Sequence, residues 1–397
     1  MDKVFHIRTF SSPNGACQEV ELDLPATDYE LLDAMEQIRL EDGKHPYLEF
    51  HAVEEYDYLN ERIQETDIFP LNALAKRLAE LDTQGMAVFE GLVCMDIQKG
   101  GETIPIGSLI DYAYSGDCCH VVEDAVTDEE LGMFLVENGF IPEAENLSDK
   151  ALKLLDYAQI GKNHREAEGS TFTGFGYVEQ HDPPAEVYKT LDLTPKTPDY
   201  TILLEVSKGF FNDPSYDSEK TAQLKLPASP EALTSALETV GAWDWRETGW
   251  SCLDCRVPVL SEMISDAEVG IDSLNDLAQR LADMEPKTLN TYKALLEATD
   301  CKDLQSAEAL IDSLDEYIFS PQYSSPIEMA KGELSVILCD EDAAFLAPHL
   351  NLYRYGQSLI ERCGGTLTAY GLIEREDHQP VQAMENKPRQ GGMEMRY

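Results

Sequence analysis

Apolar and polar positions in this chain repeat on two scales, within single elements and across half its length. In residues 71–82, LNALAKRLAELD, the apolar positions Leu71, Leu74, Ala75, Leu78 and Leu81 recur at i, i+3, i+4, i+7 and i+10. That period predicts an amphipathic helix with one core-facing stripe. Residues 274–285, LNDLAQRLADME, carry the same stripe. Leu71/Leu274, Asn72/Asn275, Leu74/Leu277, Ala75/Ala278, Arg77/Arg280, Leu78/Leu281 and Ala79/Ala282 are identical pairs. The offset, 274 − 71 = 203 residues, is too long for a solenoid repeat and has the size of a whole duplicated protein.

Other anchors follow in the same order. Leu24-Pro25-Ala26-Thr27 is echoed by Leu226-Pro227-Ala228-Ser229, each ahead of a helix-like run (29–39 and 231–240) with Thr27 or Ser229 as its N-cap. Ser108-Leu109 with Tyr112 aligns on Ser313-Leu314 with Tyr317, and Leu152 with Tyr157 on Leu350 with Tyr355. Thr171-x-Thr173-x-x-Gly176-x-x-Glu179 aligns on Thr366-x-Thr368-x-x-Gly371-x-x-Glu374. The offset drifts from 226 − 24 = 202 to 366 − 171 = 195, as loop insertions would produce. These patterns predict two tandem copies, at 1–181 and 199–378.

Period-two runs predict strands at 4–10 and 18–24 around the Ser11-Ser12-Pro13-Asn14-Gly15 turn, then helix 29–39 and a strand at 47–53, a ββαβ unit. Helical segments follow from Leu71, at 86–95 and at 106–114, punctuated by Gly100-Gly101 and Pro105. Thr127-x-x-Glu130 reads as a capping box opening helix 128–138. A helix at 152–165 and a strand or turn at 171–178 complete the first copy. The second repeats the plan, with strands at 200–207, 221–226 and 253–257, helix 231–240 and a helical block from Ser273. The predicted fold class is α+β, an elongated multi-domain chain. Each copy has a small sheet domain (1–68, 200–270), a helical domain (69–116, 271–320) and an acidic α/β third domain (117–181, 321–378). Pro183, Pro184, Pro195 and Pro198 mark 182–199 as a linker, and 379–397 reads as a disordered tail.

Charge changes the picture more than composition does. Thirty Lys and Arg stand against 75 Asp and Glu, a formal net charge of −45. Duplex DNA carries one charge per about 1.7 Å of axis, so 45 charges match roughly 75 Å of duplex. That exceeds the diameter of roughly 55 Å expected of a compact chain this long. Such a chain repels nucleic acid, anionic membranes and acidic substrates, and attracts a basic groove. Charge alone leaves halophilic adaptation or plain solubility open. No run of eighteen apolar residues exists, so no membrane span is predicted. The opening Met1-Asp2-Lys3 leads into a strand-like run without a leader-like apolar region, and the nine cysteines are irregularly spaced. The expectation is a reducing cytoplasm with free thiols.

Motifs for catalysis are lacking. Cys252-x-x-Cys255 has a metal-like spacing, but structural zinc needs four ligands and only Cys301 is a further candidate. The eight histidines are scattered singly, no phosphate-loop glycine pattern occurs, and no G-x-S-x-G elbow is present. Acid pairs are too abundant to single out a hydrolase pair. The reading is no enzyme, no cofactor and no metal. Tyrosines among the acids (Tyr56, Tyr58, Tyr112, Tyr114, Tyr157, Tyr317, Tyr353, Tyr355) are core edges or interface anchors.

Two stretches carry a family resemblance. Leu155-Asp156-Tyr157-Ala158-Gln159-Ile160-Gly161-Lys162 is similar to the FDYEAFGR stretch of the ArdA antirestriction family, and Gly176-Tyr177 to the GYF that follows it there. In the second copy Tyr355-Gly356 stands for that pattern, with Arg354 in place of the acid. The resemblance implies acidic three-domain proteins that imitate bent B-form DNA and occupy the DNA groove of type I restriction-modification enzymes. Family members are usually homodimers, so the tandem chain would be an internal pseudo-dimer or form a longer dimer. On this resemblance, the acids standing in for phosphates are Glu54, Glu55, Asp57, Glu61, Glu65, Asp67, Glu123, Asp124, Asp128, Glu129, Glu130 and Glu137. The expected partner is a type I restriction-modification enzyme or another DNA-binding defence protein in a bacterial host cytoplasm, with no nucleic acid or membrane. The competing expectation is an acidic adaptor or scaffold that binds a basic partner without duplex mimicry.

Overall fold

The computed structural model describes residues 2–11, 19–39, 46–64, 66–145, 147–209 and 220–382. The fold is α+β, and among the described residues the strands form four sheets of three. Contacts divide the chain into two compact units. The first comprises Met1–Thr9, Glu21–Ala26 and Lys44–Pro195; the second comprises Phe10–Val20, Thr27–Gly43 and Lys196–Tyr397. The turn at 12–15, Cys17, Glu65 and most of the predicted tail lie outside the described residues.

Strand β1 (Phe5–Phe10) buries Phe5, Ile7 and Thr9 and exposes His6 and Arg8, the period of a half-covered strand. It is central in the sheet β2-β1-β3, with β2 at Glu19–Leu24 and β3 at Tyr47–Ala52. Helix α1 (Asp28–Ile38) lies between β2 and β3 in the chain and is described with the second unit.

Helix α2 (Ile68–Leu78) begins three residues before the predicted 71, because the Asp67 carboxylate caps it by accepting the Phe69 N–H at 3.0 Å. It ends at Leu78, with Ala79 as C-cap, rather than running to 82. Ile68, Leu71, Leu74, Ala75 and Leu78 are its buried stripe. Asn72 explains its place in the repeated stretch. Its amide accepts from Ala26 N–H at 2.7 Å and donates to Ala26 C=O at 3.1 Å. Helices α3 (Thr83–Gln98) and α4 (Ile106–Ala113) complete the block, with Val88, Phe89, Leu92 and Val93 of α3 buried.

The last part of the first unit holds the antiparallel sheet β4-β6-β5, with β4 at Cys119–Val122, β5 at Thr171–Thr173 and β6 at Gly176–Gln180. Helix α5 (Asp128–Glu137) packs on α7 (Tyr157–Glu168). The helix predicted at 152–165 is α7, which starts five residues later, while Leu152 ends the short α6 (Asp149–Leu152). The chain breaks where Asp156 turns to cap α7, accepting the Gln159 N–H at 3.0 Å. A Cβ on Gly132 would lie 1.9 Å from the Tyr157 carbonyl oxygen, and one on Gly161 1.9 Å from that of Asp128. Only glycine lets these two backbones meet.

The proline-rich stretch after 182 belongs to the first unit as far as Pro195, and residues 185–188 are hydrogen-bonded to α4 and the turn that follows it. Ala185 N–H donates to Ser115 Oγ at 2.9 Å, and Val187 and Tyr188 N–H donate to Asp111 Oδ1 at 2.7 and 2.8 Å. It forms a single 3-10 turn, Tyr188–Thr190, and its backbone donors serve those acceptors.

In the second unit β7 (Ile202–Lys208) is central in the antiparallel sheet β8-β7-β9, with β8 at Thr221–Leu226 and β9 at Thr248–Cys255. Strand β9 starts five residues before the predicted 253. Helix α8 (Pro230–Val240) is capped by Ser229 with Pro230 at its first turn. Helices α9 (Leu260–Asp266), α10 (Ile271–Asp283), α11 (Pro286–Ala298) and α12 (Leu304–Asp312) follow. Leu274, Leu277, Ala278 and Leu281 of α10 join one core with Ile202, Leu204 and Tyr292. Asn275 accepts from Ala228 N–H at 2.7 Å and donates to its C=O at 3.3 Å, as Asn72 does to Ala26. The chain then forms β10 (Tyr317–Ser320), α13 (Pro326–Ile337), α14 (Asp340–Leu346), α15 (Leu352–Cys363), β11 (Thr366–Thr368) and β12 (Gly371–Arg375), with sheet order β10-β12-β11. Gly356 of α15 meets α13 as Gly161 meets α5: a Cβ there would lie 1.6 Å from the Pro326 carbonyl oxygen.

These positions correct two sequence anchors. Gly161 and Gly356 each lie five residues beyond a capping side chain, Asp156 and Asn351. The counterpart of Tyr157 is therefore Leu352, not Tyr355, and the offset of 195 equals that of Thr171 and Thr366. Ser108 and Leu109 sit inside α4, whereas Ser313 and Leu314 follow α12 and Tyr317 opens β10, so that pairing is a coincidence of letters.

Helix α1 carries the complete capping box of Thr27 and Glu30 and is held in the second unit by polar contacts. Lys293, 4 % exposed, reaches Asp33 and Glu36 at 2.7 Å each. Asp33 also accepts the Tyr370 hydroxyl and the Gln37 amide. Arg39 donates to the Pro321 and Ala369 carbonyls, and Thr27 Oγ1 donates to Asp254 at 2.7 Å. The sequence pattern assigns this helix to residues 1–68; its contacts group it with Lys196–Tyr397.

Candidate acidic interface

The first acidic segment is a 3-10 turn, Glu54–Leu59, that leaves β3 and crosses the helical block. Tyr56, Leu59 and Ile63 are its buried side, with the Tyr56 hydroxyl donating to Leu78 C=O at 3.2 Å. Burial pushes that hydroxyl up to about 12. The anchors expected from the sequence are Tyr58, Leu59 and Ile63; Tyr56 takes the deep position and Tyr58 is half-buried. Glu54, Glu55, Asp57 and Glu61 all point to solvent. Asp67 is half-buried and occupied as the cap of α2. Glu65 lies outside the described residues.

The second segment starts in the turn after β4. Glu123 and Asp124 are exposed while Ala125 beside them is fully buried. Thr127 caps α5 by accepting the Glu130 N–H at 3.2 Å. The Glu130 carboxylate reaches back to the Val126 N–H (3.0 Å) and the Thr127 hydroxyl (2.9 Å), and these hydrogen bonds hold it below the usual carboxylate range. Asp128 is half-buried and forked onto Arg165 of α7 at 2.8 and 3.2 Å; that guanidinium lowers its carboxyl. Glu129 and Glu137 are exposed. The α5 dipole favours Asp128, Glu129 and Glu130 in the first turn, whereas Glu137 sits at the disfavoured negative end.

Of the twelve candidate acids, nine are exposed on anchored elements, Glu130 among them being tied into the α5 cap; Asp67 and Asp128 are engaged inside the fold, and Glu65 lies outside the described residues. Sequence reasoning missed a second group, Glu262, Asp266, Glu268, Asp272 and Asp276, all exposed along α9, α10 and the segment that joins them. Their signal was position: they precede and begin the repeated helix, as residues 54–67 precede α2. Asp340, Glu341 and Asp342 in the first turn of α14 are exposed as well.

The cysteine pair at 252 and 255 belongs to β9, where Cys255 is fully buried and Cys252 half-buried. Burial raises both thiols. Asp254 between them is bound by Thr27, the Tyr200 hydroxyl (2.8 Å) and the Cys255 N–H (2.9 Å). Among the described residues no group of three or more His, Cys, Asp or Glu is placed to hold a metal ion, and no helix is long and apolar enough to cross a membrane. No protein-family model matches the chain, and no curated protein matches it.

Proposed function

We propose that this chain is a tandem, non-catalytic DNA mimic. It would occupy the DNA groove of a type I restriction-modification enzyme and so protect incoming mobile DNA in a bacterial host. The observation that carries the reading is the separation of roles within the acidic segments: nine carboxylates are exposed on turns and on α5, while Tyr56, Leu59, Ala125, Leu131 and Leu135 of the same segments are buried in the core. An array of that kind presents charge without rearrangement on binding, as a phosphate backbone does. Displacement of counter-ions from the enzyme's basic groove then supplies the affinity, and no reacting residue is required. The matched features of the two halves (the Asn72 and Asn275 bridges, the Gly161 and Gly356 crossings, the sheet orders) support a duplication of one three-part copy.

A second reading, an acidic adaptor docking through an apolar anchor, draws on Trp243, 91 % exposed, and on Val336 and Phe345, 80 % and 69 % exposed. Competition separates the two. Purified type I enzyme is titrated with this protein against labelled duplex DNA at several salt concentrations. Mimicry requires mutual exclusion with DNA and steeply salt-dependent affinity. Simultaneous binding with DNA, or binding abolished by Trp243→Ala and indifferent to salt, establishes the adaptor.

A further inference from the structure

Cys118 and Cys119 are neighbours in sequence, and a regular strand would send their side chains to opposite faces. The structure prevents that. Cys118 stands in a bend, its N–H donating to Ser115 C=O at 3.0 Å, and β4 begins only at Cys119. Both side chains enter the same small core with Val88, Leu92, Met95 and Val178, and their sulfurs lie 3.6 Å apart. The residues are 6 % and 4 % exposed. The exposed Asp117 precedes them, and the Cys118 carbonyl accepts the His181 and Asp182 N–H groups at 3.0 and 3.2 Å, just beyond the end of β6.

We propose that Cys118 and Cys119 form a vicinal dithiol site for a neutral trivalent thiophile of the arsonous acid type. Geometry and charge choose this ligand over two others. A disulfide ordinarily joins Cα atoms about 4.4–6.8 Å apart, and neighbouring residues across a trans peptide stand only about 3.8 Å apart, so closing one here strains the peptide between them. A bridging atom bonded to both takes the thiols nearly where they stand. A divalent cation such as zinc needs thiolates and about four ligands. The site offers two sulfurs, and burial raises both thiols so that they stay protonated. A dihydroxy arsenical is itself neutral. Two S–H and two As–OH bonds break, two As–S bonds form, and two waters leave. No electron moves and no net charge is left in the core. Capture fixes the bend to the start of β4 and, through the Cys118 carbonyl, to the chain leaving β6.

The test uses phenylarsine oxide on the full chain, reduced with a phosphine that is then removed. Native mass spectrometry should show one adduct per folded chain, released by a small dithiol, with a raised melting temperature while bound. Free thiols are blocked with iodoacetamide, the arsenical is stripped, and a heavy iodoacetamide is added; the heavy label should fall on Cys118 and Cys119. Cys118→Ala and Cys119→Ala should each weaken capture by about a hundredfold, as loss of a chelate demands, while Cys252→Ala leaves it intact. Heavy label on Cys252 and Cys255 instead, or adducts only after unfolding, overturns the proposal. So does equal protection by zinc at the same concentration. If the alanine variants do not fold, the label map on the natural chain decides alone.

Discussion

At the scale of single residues, buried polar groups do more to define this fold than surface ion pairs. Lys293 shows the principle. Its ammonium is fully enclosed by Asp33, Glu36 and the ring of Tyr370, and burial drives the Tyr370 hydroxyl far above its ordinary range. Removing one partner of such a group strands a buried charge, so Lys293→Ala should cost about 3–5 kcal/mol, read as the denaturant midpoint of the second unit. An unchanged midpoint would mean that water reaches Asp33. The Asp128–Arg165 fork lies nearer the surface and is worth less, about 1 kcal/mol. Its pH dependence has a definite sign. The folded carboxyl titrates below the unfolded value of about 3.9, so the contribution is present above that pH and is lost as pH falls through the folded value. The stability gap between the natural chain and Asp128→Asn should therefore stand at pH 7 and close only as pH falls below the folded carboxyl's own, lowered value.

At the scale of elements, the apolar stripe of the repeated helix was legible because apolar positions at a 3.6-residue spacing line one side of a helix and nothing else regular. Leu78 and Leu281 are 1 % and 0 % exposed, so Leu78→Ala and Leu281→Ala should each cost about 2–5 kcal/mol by thermal or urea unfolding. If either variant melts like the parent, the stripe is not the core face. What the period could not show is where helices stop. Asp67 starts α2 early and Asp156 delays the predicted 152–165 helix to Tyr157, because one carboxylate accepting a backbone N–H outweighs the weak propensity of the residues around it. The partner of α1 was equally hidden. Nothing local to residues 28–38 points to Lys293, which is 260 positions from Asp33. The misalignment of Tyr157 with Tyr355 has a related cause. What the fold preserves there is a cap and a glycine, not the tyrosine, and Leu352 fills the tyrosine's place without disturbing either.

At the scale of the whole molecule, the charge of −45 is too large to reside in a few contacts, and this fixes how the proposed interface should fail. Each exposed carboxylate contributes a fraction of a kcal/mol to about one, so Glu129→Gln alone should barely change inhibition of a type I enzyme. Neutralising Glu123, Asp124, Glu129 and Glu137 together should weaken inhibition strongly. It should also flatten the slope of log affinity against log salt by up to about four, since each lost charge removes about 0.9. Asp128 and Glu130 are left out of that set because the first is forked onto Arg165 of α7 and the second is bonded into the cap of α5, and changing either would confuse stability with binding. The exposed acids of α9 and α10 give an independent arm. If both halves imitate DNA, neutralising Glu262, Asp266, Glu268, Asp272 and Asp276 should lower affinity and slope by a similar amount, whereas a single functional half would leave inhibition at its natural level. Binding that survives loss of both sets but vanishes with Trp243→Ala would place the energy in an aromatic anchor, and the carboxylates would then serve only solubility and the rate of encounter.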